Sequence, residues 1–257
     1  MSAEDFYVTL PSNSSLSYYP DNTIANYRTK LPRPIHINSP YEVALTEIHY
    51  PLSWPQYSKE DAWIRERYRN RNGHLQVPIL VMSTGRFDSL TELTEEITRR
   101  FKKLKEPEPH PIISYNRITN RVLVQASYPT EIMFKGGLAR MLGFKPNVYS
   151  QIGTIRPLEA PLPADSQAGV YSMYVYSDVV QHQTVGDHYV PLMRVVQIED
   201  APKKFVTTVF TRPHYLRVSK NHLDTIEVAV KNDQNENIPF TYGKVIVVLH
   251  FRPVKYS

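Results

Sequence analysis

The chain has 257 residues, 41% hydrophobic and 21% charged, which is the balance of a folded globular protein and excludes a disordered one. It has no cysteine, which excludes disulfides, thiol catalysis and cysteine-ligated zinc. Its net charge of +5, from 30 basic and 25 acidic residues, falls short of a dedicated nucleic-acid binder, so no specific nucleic acid is expected as a partner. There are 21 prolines and 18 tyrosines against 9 glycines, a composition that suits short strands joined by ordered loops. The N-terminal MSAEDFYVTL carries neither a basic nor a long apolar run, and no stretch approaches the length of a membrane span; neither a signal peptide nor membrane insertion is expected.

Strands are expected first at 6–10, 27–31, 41–50 and 74–82, punctuated by prolines at 11, 20, 32, 34, 40, 51 and 55. Asn72-Gly73 is the dipeptide preferred by a two-residue type I′ turn, because both central positions need positive φ. Counting outward from that turn pairs Tyr68 with Val77, Glu66 with Ile79 and Ile64 with Val81 on an apolar face. The opposite face then carries Arg65, Arg67, Arg69 and Arg71 in a row. Glu66 is the residue out of place in this scheme.

Residues 88–105, DSLTELTEEITRRFKKLK, predict a helix. Leu90, Leu93, Ile97, Phe101 and Leu104 form one apolar stripe, and Ser89 with Glu92 makes a capping box. Acids crowd the first turns and bases the last, and Glu95–Arg99 and Glu96–Arg100 add pairs one turn apart. A hairpin is expected at 113–125, and LARMLGF (138–144) reads as a short helical turn ended by Gly143 as C-cap. The segment 155–164 reads as an irregular connection. From 169 onward strand follows strand at short spacing, with proline corners, as in a sandwich or barrel.

Catalytic patterns are missing: there is no G-x-S-x-G, P-loop, G-x-G-x-x-G or H-E-x-x-H. The nearest approach to a metal or acid–base set is His182, His188 and Asp187, with Asp178 upstream, which reads as turn chemistry around Gly186-Asp187. No catalytic residue, metal or cofactor is assigned. The arginine row is the stronger binding candidate. On a strand it sets guanidinium groups about 7 Å apart, each able to hold a carboxylate or phosphate through two hydrogen bonds. It reads as a solvated face, as a contact for an acidic neighbouring subunit, or as a nucleic-acid contact. Tyr18, Tyr19 and Trp54, near prolines, read either as exposed interface anchors or as corner packing.

The segments FYVTLPSNSS (6–15), LTEIHYPLSW (45–54), ISYNRITNRV (113–122), LARMLGF, YVYSDVVQHQTVGD (174–187), PLMRVV (191–196) and PFTYGKVIVVLHFR (239–252) resemble, in order and over nearly the whole chain, one family. It is the minor capsid (penton) protein of Polinton, or Maverick, elements and of the related adintoviruses. Ser177 stands where relatives often carry cysteine. The resemblance implies a mainly β protein: a jelly-roll β-sandwich with an inserted small α+β unit, the sandwich strands lying at 1–85 and 149–257 and the insertion at 86–148. It further implies a homopentamer at the vertices of an icosahedral capsid in the virion, beside a hexon-like major capsid protein and open to a host receptor. A monomeric β-sandwich module for glycan or receptor is the alternative, and a β-sandwich enzyme the third.

The closing stretch PFTYGKVIVVLHFRP is apolar on both faces of one strand. Val245, Val247, Leu249 and Phe251 are expected between the two sheets. Ile246 and Val248 then need cover on the outer face, from the inserted unit or from a neighbouring subunit, with His250 and Arg252 at the rim of that contact.

Overall fold

The computed structural model describes residues 4–70, 72–104, 110–167, 170–198 and 205–254. The chain divides into two compact units, Met1–Trp54 with Val170–Ser257, and Pro55–Gly169. In chain order the first unit opens with β1 (Phe6–Pro11), β2 (Asn26–His36) and β3 (Tyr41–Pro51). The second unit supplies β4 (Trp63–Arg69), β5 (Leu75–Gln76), β6 (Ile79–Val81), α1 (Leu90–Phe101), β7 (Ile112–Asn116) and β8 (Arg121–Gln125). It continues with β9 (Thr130–Phe134), α2 (Gly136–Met141), β10 (Ser150–Ile152) and β11 (Leu158–Glu159). The chain then returns to the first unit with β12 (Ser172–Ser177), β13 (Gln183–Val185), β14 (His188–Val190) and β15 (Leu192–Gln197). It ends in β16 (Phe205–Val209), β17 (Leu216–Arg217), β18 (His222–Lys231) and β19 (Ile246–Pro253).

The first unit is a jelly-roll sandwich. One sheet runs β1-β19-β3-β16 and the other β15-β12-β18-β2, all pairs antiparallel. Alternation along β19 and the residue before it decides the core: Val245, Val247, Leu249 and Phe251 are each fully buried, as their spacing demands. Tyr27, Leu45, Ile48, Val175, Ile226 and Val228 meet them from the other strands. Ser177, buried, donates its hydroxyl to the Glu227 carbonyl at 2.7 Å, which satisfies the small polar side chain inside the sandwich.

The second unit packs α1 against β7, and its core gathers Leu93, Ile97, Phe101, Ile113, Val124, Ile132 and Phe134. The Ser89 cap forms, its Oγ accepting from the Glu92 amide at 3.1 Å, while the Glu92 carboxylate reaches one residue past the reciprocal position of a capping box and accepts from the Asp88 amide. Glu96, rather than Glu95, holds Arg99, and it holds Arg100 as well. Gly143 closes α2 in the left-handed region at φ +79°, with its amide bonded to the Arg140 carbonyl and that of Phe144 to the Ala139 carbonyl, a Schellman motif.

The boundaries expected at 85 and 148 lie inside this unit, which is wider on both sides. The cause is long-range pairing. β4 joins β9 from Ile64↔Phe134 to Tyr68↔Thr130, drawing the arginine hairpin out of the sandwich block. Beyond 148, β10 pairs β9, and β11, in the stretch read as irregular, pairs β8. No helix among the described residues is long and apolar enough to cross a membrane.

Candidate interaction surfaces

Arg65, Arg67 and Arg69 share the outer face of β4, as their alternation predicts; Arg71 lies outside the described residues. What shares that face with them differs from the expectation. Tyr68 pairs with Gln76, Ile64 with Leu80 and Arg65 with Ile79, a register one residue away from the expected one. The turn is the reason. The Asn70 amide bonds the His74 carbonyl, the Asn70 side-chain oxygen accepts from the Asn72 and His74 amides, and among the described residues of the turn only Gly73 takes positive φ. A one-residue slip turns every partner side chain over. Leu75, Val77, Ile79 and Val81 therefore stand outside, 53, 43, 49 and 62% exposed, beside the arginines.

Within the row, Arg67 stacks on Tyr149 at 4.0 Å and reaches Glu131 at 3.1 Å, while Arg69 donates to the Gly73 carbonyl. Arg65 lies 5.1 Å from the Trp63 ring centre, and its Nε, shielded from water, has no hydrogen-bond partner among the described residues.

The inner face of β4 carries Ile64, Glu66 and Tyr68, all buried, so Glu66 does lie on the apolar side. Its Oε1 accepts from Tyr128 Oη at 2.6 Å and from Thr130 Oγ1 at 3.2 Å. Burial pushes its carboxyl above the usual carboxylate range, against the opposing pull of those two hydrogen bonds and of nearby His110. The folded state thus keeps this proton to a higher pH than the unfolded chain does. Stability drains away as pH rises from the unfolded pKa through the folded one. Glu66→Gln, which keeps the acceptor and removes the charge, is expected to gain in stability over the parent as the pH rises from about 4 to about 7. Urea titrations at both pH values measure this; parallel pH profiles for the two proteins would refute it.

The outer face of the β1-β19-β3-β16 sheet can be read from its register. Thr9, Val248, Glu47 and Val209 form one cross-strand row, and Pro11, Ile246, His49 and Thr207 the next. Ile246 and Val248 are half-buried, while Phe205 and Val209 are 56 and 59% exposed. The last two escaped the sequence reading, although the alternation in FVTTV already opposes them to buried Val206. The far end of β19 is covered by its own chain. The His250 ring stacks on Tyr7 at 4.4 Å and accepts or donates a 2.7 Å hydrogen bond with Tyr215 Oη. Arg252 lies 3.4 Å over the Tyr215 ring and bonds Glu42 at 2.6 Å.

Of the three proposed aromatic anchors, Tyr18 is 69% exposed. Tyr19 is tied down by Thr225 at 2.9 Å and by the Arg28 guanidinium over its ring. Trp54 is a correction: it is 1% exposed and meets Phe240 edge-on, a core residue of the sandwich rather than an anchor. The histidine set does not converge. Asp178 bonds Lys220 and the Glu227 amide, while His182, Asp187 and His188 stay exposed, and no group of three or more metal-binding side chains occurs among the described residues. Nearby, the β13–β14 hairpin and the turn at 232–235 wall a groove of about 620 Å³ lined by Tyr174, Tyr176, Tyr189, Asp187 and Asp233.

These features define a class: a jelly-roll protein whose third and fourth sandwich strands are separated by a large α+β insertion. Among solved structures the chain is similar to the mavirus penton protein, with a TM-score of 0.55 and 11% identity, the match covering 98% of this chain and 100% of that one. The likeness is one of fold. No family model and no curated protein matches the sequence.

Proposed function

We propose that this chain is a minor capsid protein of the penton type, which closes as a homopentamer at capsid vertices in the virion beside a hexon-like major capsid protein. The observation that carries the reading is a fold shared end to end with a viral penton protein, 98% of this chain and 100% of that one. The ordered sequence resemblance to Polinton and adintovirus pentons supports it from a second direction. A five-fold ring is a heterologous assembly, in which each subunit offers two different surfaces. The outer face bearing Ile246, Val248, Phe205 and Val209 is proposed as one of them, because Phe205 and Val209 stand exposed on the edge strand β16, across Glu47 and His49 from half-buried Val248 and Ile246, and exposed apolar side chains on an edge need cover.

Native mass spectrometry and negative-stain micrographs of the purified protein, alone and with its major capsid partner, test this; five-fold rings are expected. A strict monomer under every condition would sink the assembly. Val209→Asp, on an exposed position, is expected to shift the ring toward folded monomers. Rings of undiminished stability in that variant would remove this face from the contact. The tyrosine-lined groove favours a second reading, a glycan- or receptor-binding module. Specific glycan binding by a protein that stays monomeric would select it.

A further inference from the structure

The net charge of the chain is not shared evenly. Pro55–Gly169 holds 17 basic and 12 acidic residues, whereas the remainder holds 13 of each, so the whole +5 belongs to the second unit. On the outer face of its β4 sheet, Arg65, Arg67 and Arg69 stand beside a stripe of exposed aliphatic side chains, Leu75 to Val81. Glu131 is the acid that answers them there. A hollow of about 530 Å³ opens along the row, bounded by Arg67, Arg69, Leu75, Glu131 and Gln151. The stripe lies at the sheet edge, where the Val81 carbonyl already accepts from Arg100.

We propose that this face docks an acidic, aliphatic segment of a partner protein other than this chain. Guanidinium groups in a row hold carboxylates through paired hydrogen bonds, and the adjoining Leu75–Val81 stripe gives apolar side chains a place to leave water. Two features select this occupant. A phosphate backbone gains nothing from four aliphatic side chains, which speaks against nucleic acid. A second copy laid face to face would set one cationic row against another, and in a head-to-tail contact the first unit, with 13 basic and 13 acidic residues, brings no net acid to meet the row; both speak against self-association through this face. Arg65 and the exposed stripe are the open half of the site, and Glu131 fixes the position of Arg67 for it.

The test is fluorescence anisotropy on the full chain with a labelled peptide of glutamate and leucine. The controls are the lysine–leucine peptide of the same pattern, oligoglutamate, and a single-stranded oligonucleotide of equal charge. The glutamate–leucine peptide is expected to bind saturably and more tightly than oligoglutamate, with the lysine–leucine peptide silent. Arg67→Glu and Ile79→Asp, each shown folded by circular dichroism, are each expected to weaken binding about ten-fold. Absence of saturable binding, binding by either variant as tight as by the parent chain, or tighter binding of the oligonucleotide would overturn the proposal. Loss of self-association in Arg67→Glu would overturn it too, by assigning the face to a second copy. Ring formation is read separately by native mass, so the docking and assembly readings fail independently.

Discussion

Trp54→Ala is expected to cost the sandwich unit about 3–5 kcal/mol, the range for emptying a large aromatic site in a packed core. The indole is 1% exposed and lies among the side chains of both sheets, with Phe240 against it at 5.6 Å. Its removal takes away apolar burial and leaves a cavity that rigid antiparallel strands cannot collapse to fill. A folded domain carries only about 5–15 kcal/mol in all, so a large part of the first unit's margin would be lost. Urea unfolding followed by circular dichroism measures the loss. Trp54→Phe, which keeps most of the volume, should lose clearly less. The chain has two tryptophans, Trp54 in the first unit and Trp63 in the second, so the remaining fluorescence of Trp54→Phe reports the second unit alone. A cost below about 1 kcal/mol for Trp54→Ala would return the residue to the surface.

Gly143→Ala carries the second large effect, at least about 2 kcal/mol against the Pro55–Gly169 unit. Two causes add. The backbone sits at φ +79°, where a Cβ is strained, and an ideal Cβ would lie 2.1 Å from the Leu162 carbonyl oxygen. That oxygen belongs to a backbone held in place, since the Leu162 amide bonds the Gly143 carbonyl at 3.1 Å and the Asp165 amide bonds that of Met141. Either the α2 terminus or the 162–165 strap must move, and Leu142 and Phe144 lie buried beside it. Faster amide exchange at Phe144, Leu162 and Asp165 and a lower melting temperature are the expected readouts. Gly153→Ala, with open space around its Cβ, serves as the control and should leave both unchanged. Equal behaviour of the two variants would refute the steric account.

Much of this architecture is written in local pattern. The stripe from Leu90 to Phe101 and the Ser89 cap specify α1 because helix period and orphan amides are properties of a few neighbouring residues. Gly143 ends α2 for the same reason, since one position alone needs the left-handed region. In β19 the alternation that buries Val245, Val247, Leu249 and Phe251 needed only one buried face to be decisive. The resemblance carried by the ordered segments extended this to the jelly roll, which the two sheet orders display.

The candidate surfaces were less legible. Arg65, Arg67 and Arg69 share a face by strand period alone, yet their neighbours depended on how Asn70 bonds back to His74. That single choice of turn moved Leu75, Val77, Ile79 and Val81 from the core side to the surface and made a mixed cationic and aliphatic face where a purely basic one was expected. The same pairing, through β9, took the hairpin out of the sandwich.

Sequence by itself determined the class of fold, the helix and its ends, the inward face of the closing strand and the alternation of the arginines. Each follows from periodicity or conformational preference over a handful of residues. Tertiary structure alone decided hairpin register, unit boundaries, the burial of Trp54, and the cover that Tyr7 and Tyr215 place on His250. Those outcomes rest on contacts between residues far apart in the chain, whose energies no local pattern contains.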